Sequence, residues 1–274
     1  MPRVSVIVTT YQRPRALDRV LASLAEQEVA PAEIIVADDG SGPETAALLR
    51  AWQDRMPCPL RQVWQENAGF RAAAIRNRAV AMATGDYLIF LDGDCLTFPD
   101  FIWRHRALAE PGFLVMGNRI LCSPALTEQI EAGSAMPLRW SGLAWLQARG
   151  RGEVNRIFPL ARLPGPVWRT LRPWRWRGVR TFNLAVWRAD FARVNGFDEI
   201  FQGWGHEDAD LAVRLMRSGV RRKDGLFALP VLHLWHRPSD RSQEVGNRQR
   251  LEERIASGQV RAGRGLDHDP GMAE

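Results

Sequence analysis

The sequence has almost no lysine: Lys223 stands alone among 37 basic residues, so the net charge of +6 is carried by arginine. Such a skew reflects genome composition as much as function. A guanidinium nevertheless binds phosphate and carboxylate through a planar fork, which makes anionic substrates or an anionic membrane surface natural partners. Cysteine is scarce as well. Cys58, Cys95 and Cys122 are an odd number without CxxC spacing, which indicates neither a disulfide framework nor a zinc site. No apolar run approaches the roughly 20 residues of a membrane span, and MPRVSVIVTT enters a strand pattern directly rather than a signal peptide. A cytoplasmic protein is expected. No GxGxxG follows the first β-rich run and no GxxxxGK occurs anywhere, which excludes the dinucleotide fingerprint and the P-loop. A phosphate-bearing ligand must be held another way.

What is present suits an enzyme. A chain of 274 residues with 46% hydrophobic and 25% charged residues can bury a sizeable core. Apolar β-rich runs at 4–9, 34–37, 60–64 and 87–91 alternate with helical patterns at 16–25, 44–52 and 72–83, and Pro14 and Pro43 sit near two helix starts. This alternation predicts an α/β fold with a mostly parallel sheet flanked by helices. Ligands of such sheets bind beyond the carboxyl ends of the strands. The residues there are Thr10, Tyr11 and Arg13, then Asp38 and Asp39, then Asn67 and Gly69, then Asp92 and Asp94. Any one of these loops also reads as a plain turn. The run IFLDGD is more pointed, because two carboxylates around Gly93 can approach a hard cation such as Mg²⁺ or Mn²⁺, which then bridges to a diphosphate.

The fragments VSVIVTTYQRP, EIIVADDGS, ENAGFRAAAIRNRAV and GDYLIFLDGD, in this order and spacing, resemble the nucleotide-sugar-binding half of glycosyltransferase family 2, of GT-A fold. TFNLAVWRADFARVNGFDE followed by GWGHEDADLAVRL is similar to the acceptor half of that family. The latter stretch also looks like the C-terminal segment of β-1,4-galactosyltransferases and chondroitin synthases. The likeness covers residues 3–122 and 180–237 and implies one GT-A domain over 1–240, with a donor half at 1–122, an insert at 123–179 and an acceptor half at 180–240. It implies a UDP-sugar donor, a glycan or glycolipid acceptor and no nucleic acid. Thr10, Tyr11, Arg13 and Asp39, with Asp38, would hold uracil and ribose. Asn67, Arg71 and Arg76 would line the donor pocket, Asp92 and Gly93 would meet the ribose or sugar, and Asp94 would bind Mn²⁺ or Mg²⁺.

In GWGHED, Gly203 and Gly205 permit a tight loop that presents Trp204 as a platform for a sugar face, and Gly205, His206 and Asn183 complete the acceptor set implied by the likeness. The simplest role of His206 is loop packing. Glu207 and Asp208 begin a helical stretch at 208–217, where two acids also serve simply to cap a helix. The family likeness makes Asp208 the general base of an inverting transfer and gives Glu207 contacts to sugar hydroxyls. It also implies a metal-ligating histidine from HLWH. His233 and His236 are three apart and on a strand would face opposite sides, so one of them is expected to bind, with a leaning to His236.

Between the halves, residues 139–180 hold ten arginines and one acid, Glu153, together with Trp140, Trp145, Trp168, Trp174 and Trp176. Three readings stay open there: an acceptor-site lid, a membrane-surface patch and a nucleic-acid surface. Peripheral contact with the inner face of the plasma membrane depends on the second. Pro164, Pro166 and Pro173 argue against a regular core helix. Residues 241–274 read as a polar tail, with a charged helix at 243–256 and a frayed end at 258–274. The QxxRW-type segment of the family's processive polysaccharide synthases is missing, so one sugar per encounter is expected. Bacterial surface glycan, lipopolysaccharide or capsule, is the expected pathway.

Overall fold

The computed structural model describes residues 1–163 and 168–267. β-Branched runs form the strands of its first half, and proline starts three of the helices. The order is β1 (Val4–Thr10), α1 (Pro14–Ala25), β2 (Glu33–Asp38), α2 (Pro43–Gln53), β3 (Leu60–Trp64), α3 (Ala72–Met82), β4 (Tyr87–Asp92), β5 (Cys95–Thr97), α4 (Phe101–Leu108), β6 (Phe113–Met116) and β7 (Asn118–Leu121). There follow α5 (Pro124–Glu131), α6 (Gly142–Gly150), β8 (Asn183–Trp187), α7 (Arg188–Arg193), α8 (Glu207–Arg217), β9 (Arg221–Asp224), β10 (Pro230–His233) and α9 (Glu244–Ser257). Pro14 and Pro43 open α1 and α2 at positions where the missing N–H costs nothing.

The main sheet has the order β3-β2-β1-β4-β8-β6-β9. Its pairings are parallel from β3 to β4, and β8 runs antiparallel to both β4 and β6. Tyr87 to Leu91 of β4 are fully buried, as expected of a central strand covered on both faces. Phe90 packs against Phe191 and Phe197 at centroid distances of 5.5 and 5.3 Å, contacts of about 0.5–1.5 kcal/mol each beyond area burial. The strand end carrying Asp92 is thus anchored to the second half of the chain.

A small second sheet, β5-β10-β7, lies beyond that end. Here β10 pairs antiparallel with β5, setting His233 opposite Cys95.

The insert contains α5 and α6, and Trp145 is buried against Phe98 and Trp140. Pro164 and Pro166 lie outside the described residues. The separate tail expected beyond residue 240 is, through residue 267, part of the packed fold. Buried Arg254 of α9 pairs with Asp198 and with Asp210 of α8, and the chain after α9 returns to donate Gly263 N to Asp198 and Asp267 N to Asn195. Polar composition hid this docking, because these polar groups are partners for buried acids and amides. Residues 268–274 of the expected frayed end lie outside the described residues. No helix among the described residues is long and apolar enough to cross a membrane.

Candidate active site

The strand ends of β1, β2, β3 and β4 converge on one rim. Asp39 accepts Arg71 N at 2.7 Å on one oxygen and the Gln65 amide on the other. Burial raises its carboxyl above the usual range, and these two donors counter the shift. Each oxygen retains a lone pair for a ligand N–H. Asn67 donates to the Tyr11 hydroxyl at 3.0 Å, tying the third loop to the first. Thr10 accepts Asp39 N through its carbonyl at 3.0 Å, and Arg71 binds the Glu66 carbonyl. Asp38 is set back from this rim: it is fully buried and committed to Ser41 N and the Gln62 amide at 2.8 and 2.9 Å. Through both oxygens it supports the loop.

After β4 the chain turns through Gly93. A Cβ there would sit 2.9 Å from the Thr9 carbonyl, so the glycine permits the close approach of β1 to the turn. Asp94 then faces three cations or potential cations. Arg13 donates to its Oδ2 at 2.8 Å, His233 Nε2 lies 3.6 Å from Oδ1, and His236 Nε2 lies 3.6 Å from Oδ2. The same Arg13 reaches Glu131 of α5 and the Trp235 carbonyl, both at 3.2 Å. β10 ends at His233, so the strand geometry expected to turn the two histidines apart does not extend to His236, and both imidazoles approach one carboxylate. Donor atoms of Asp94, Cys95 and His233 lie within 4.8 Å of one another. Burial raises the Cys95 thiol well above its ordinary value and lowers His233 below its own, which leaves a protonated thiol and a neutral imidazole. At 3.6 Å neither histidine is hydrogen-bonded to the acid. A carboxylate with two imidazoles is a donor set that fits a borderline or hard divalent cation.

On the opposite side stands α8. His206 caps its start in a left-handed conformation, φ 76°, preceded by Gly205 at φ 103°. The glycine makes this reversal possible, and it delivers Glu207 and Asp208 into the first turn. Arg76, only 4% exposed, joins this turn to the rim at the strand ends. Its guanidinium donates to Thr9 Oγ1 at 3.0 Å, to Glu207 at 3.1 Å and to Asp92 at 3.4 Å. Burial pushes the Asp92 carboxyl up to about 6, with Arg76 opposing the shift. Asp208 is pushed up to about 7, chiefly by burial and then by the Glu207 charge, while Arg180 at 3.6 Å and the Ala209 N–H pull it back.

The expected acceptor residues divide. Trp204 lies in the loop before α8, but Arg241 covers its ring at 4.3 Å, so one π face is already in use. Among the described residues the buried Nε2 of His206 has no hydrogen-bond partner, and burial lowers its pKa. Asn183 is a correction: it is fully buried, its amide donates to the Leu229 carbonyl at 2.9 Å and its oxygen meets His105 Nε2 at 3.0 Å. Its amide nitrogen and oxygen are thus both engaged within the fold. Sequence reasoning missed Arg180, Glu131, Thr9 and Gln65. Arg180 and Glu131 belong to stretches without a strand-end signal, whereas Thr9 adjoins Thr10 and Gln65 lies two positions before Asn67.

Comparison with known proteins gives the chain's family and fold. The family model described as Glycosyl transferase family 2 matches residues 5–152, and the one described as N-terminal domain of galactosyltransferase matches residues 171–237. A validoxylamine A glucosyltransferase of Streptomyces hygroscopicus subsp. limoneus is 34% identical over 234 residues, covering 80% of this chain and 49% of that protein. The chain thus spans about half the length of this curated relative. Among solved structures, mannosyltransferase PcManGT from Pyrobaculum calidifontis in complex with GDP-Man and Mn²⁺ is similar at TM-score 0.60 and 21% identity, over 93% of this chain and 64% of that one. S. aureus TarS 1-349 in complex with UDP is similar at TM-score 0.64 and 17% identity, over 95% and 66%.

Proposed function

The chain belongs to glycosyl transferase family 2 and has the GT-A fold, and from that premise we propose that it transfers a sugar from a UDP-sugar to a saccharide hydroxyl, with inversion, in making a bacterial surface glycan. The observation that carries this reading is the position of Arg76. One buried guanidinium binds both Asp92 at the donor rim and Glu207 beside Asp208, so the two chemical halves form one site. UDP is the proposed nucleotide because the carboxylate of Asp39 suits the imide N–H of uracil, with Tyr11 and Asn67 beside it.

Asp208 acts as the base. It takes the proton of the acceptor hydroxyl as that oxygen bonds to the anomeric carbon, and the bond from that carbon to the UDP oxygen breaks on the opposite face. Inversion follows from this single displacement. A carboxyl raised to about 7 is well matched to a general base working near neutrality. Glu207, held by Arg76, is oriented toward sugar hydroxyls. Asp94, His233 and His236 would hold Mn²⁺ or Mg²⁺, which when bound neutralises charge gathering on the departing diphosphate. A binding module of the same fold would need no base at all.

The test is UDP release from a panel of UDP-sugars with glycan acceptors and Mn²⁺, comparing the parent with Asp208→Asn, with the anomeric configuration of the product read by NMR. Acceptor-dependent release, lost in the variant, with inverted product, is expected. Retention of configuration or an unaffected variant overturns the reading.

A further inference from the structure

Ten arginines lie between residues 139 and 180, and most are already held by the fold. Arg139 pairs with Glu26, Arg151 with Glu153, Arg162 with Asp100 and Arg180 with Asp208. Arg156 and Arg169 bind backbone carbonyls. Apart from Arg149, the arginines whose side chains have no carboxylate or carbonyl partner among the described residues are Arg172, Arg175 and Arg177. All three line one cavity of about 480 Å³ with Trp174 and Trp176.

A smaller cavity of about 230 Å³ adjoins it, sharing Arg172 and Arg175 and adding Arg222 and one acid, Asp224. Arg222 is fixed there by the carbonyls of Arg175 and Arg177 at 3.3 and 3.2 Å. Burial and the charges of Arg175 and Arg172 lower its pKa, although Asp224 opposes them. Arginine does not shed its proton in proteins, so a bound anion would relieve this crowding of positive charge. Several guanidinium forks around one space suit the multiple acceptor oxygens of a phosphate.

The cavity also lies close to the proposed chemistry. Trp176 packs against the cluster of Phe201, Ala209, Val213 and Leu251, two of which belong to α8. Arg177 and Arg180 are three positions apart, a chain length of at most about 11 Å, and Arg180 Nε is 3.6 Å from Asp208. We propose that the Arg172–Arg175–Arg177 cavity is a phosphate-binding subsite for the acceptor, taking the phosphomonoester or phosphodiester of a molecule whose hydroxyl reaches Asp208. The acceptor assignment rests on the glycosyl-transfer reading; the anion site itself does not.

The experiment compares the full chain with a variant carrying Arg172→Gln, Arg175→Gln and Arg177→Gln, and with a control carrying Arg149→Gln and Arg151→Gln. Calorimetric titration with inorganic phosphate forms one arm, and co-sedimentation with phosphatidylcholine vesicles with and without phosphatidylglycerol forms the other. The triple variant is expected to bind phosphate at least about tenfold more weakly while the control is unchanged. Loss confined to phosphate assigns the subsite to a diffusible acceptor; a matching loss of phosphatidylglycerol-dependent sedimentation assigns it to a lipid headgroup. Parent-like binding by the triple variant, an equal loss in the control, or no binding of either probe by the parent overturns the proposal. Arg175→Gln alone serves if the triple variant misfolds. UDP binding with Mn²⁺, measured in parallel, separates the two readings. A parent that binds phosphate through these arginines but not UDP keeps the subsite and loses the transfer reading, and the reverse pattern does the opposite.

Discussion

Arg76 and Glu207 stand 131 positions apart in the chain and 3.1 Å apart in the fold. Both are nearly inaccessible to solvent, and the same guanidinium reaches Asp92 and Thr9. Breaking such a pair leaves a buried charge without compensation. The contact therefore joins stability to the assembly of the site.

Arg76→Ala is expected to destabilise the protein by about 3–5 kcal/mol, the usual cost of removing one partner of a buried pair, read as a lower midpoint in urea denaturation. Arg76→Lys keeps the charge but not the fork that spans three partners, so it recovers only part of the loss. An unshifted midpoint for Arg76→Ala would mean that the ion pair carries no structural weight.

Asp208→Asn is expected to lower kcat by roughly 10²–10⁴-fold, the range for loss of a general base, with UDP affinity unchanged by calorimetry. Near-parent turnover would remove Asp208 from the role of base.

The pH dependence has two expressions of opposite sign. For catalysis, kcat/KM falls as pH drops through about 7, because Asp208 must be ionised. For stability, the folded carboxyl sits above its ordinary value of 3.8, so the folded state holds the proton more tightly than the unfolded one. The contribution is fully present below about pH 4 and lost as pH rises through about 7. Asp208→Asn is therefore expected to raise Tm at pH 8 relative to the parent, with the gain shrinking toward pH 4. A Tm difference that does not change over this range would contradict the assigned shift.

Asp94→Ala is expected to abolish Mn²⁺-dependent strengthening of UDP binding, and His233→Ala and His236→Ala each to weaken it, since both imidazoles lie 3.6 Å from the Asp94 carboxylate. If one histidine variant binds UDP and Mn²⁺ like the parent, that residue is not a ligand.

Deleting residues 259–274 removes the Gly263 N–H from Asp198 and the Asp267 N–H from Asn195, both acceptors being buried. A lower Tm is expected, because unsatisfied buried polar groups cost about 1–3 kcal/mol each. An unchanged Tm would restore the view of this segment as a loose tail.

The rim at the strand ends was legible because a short-range pattern, strand followed by polar loop, maps directly onto a known place in a parallel sheet. Asp39, Asn67, Asp92 and Asp94 could be named from that alone. Asn183 could not be judged, since its burial comes from His105 and the Leu229 carbonyl, which are distant in the chain. Arg180 looked like one more basic surface residue, and only the fold brings it to Asp208. The end of β10 at His233 decided the orientation of His236, and element ends are what hydrophobic periodicity locates least well. Docking of the C-terminal segment relies on charged and backbone groups meeting Asp198 and Asp210, so its polar composition pointed the wrong way.

The most direct measurement is calorimetric titration of the full chain with UDP, GDP, CMP and dTDP, each with Mn²⁺ and again with EDTA. The account predicts selective binding of UDP that depends on Mn²⁺ and disappears in Asp94→Ala. UDP binding that is equally tight with EDTA, or selective binding of a different nucleotide, would contradict it.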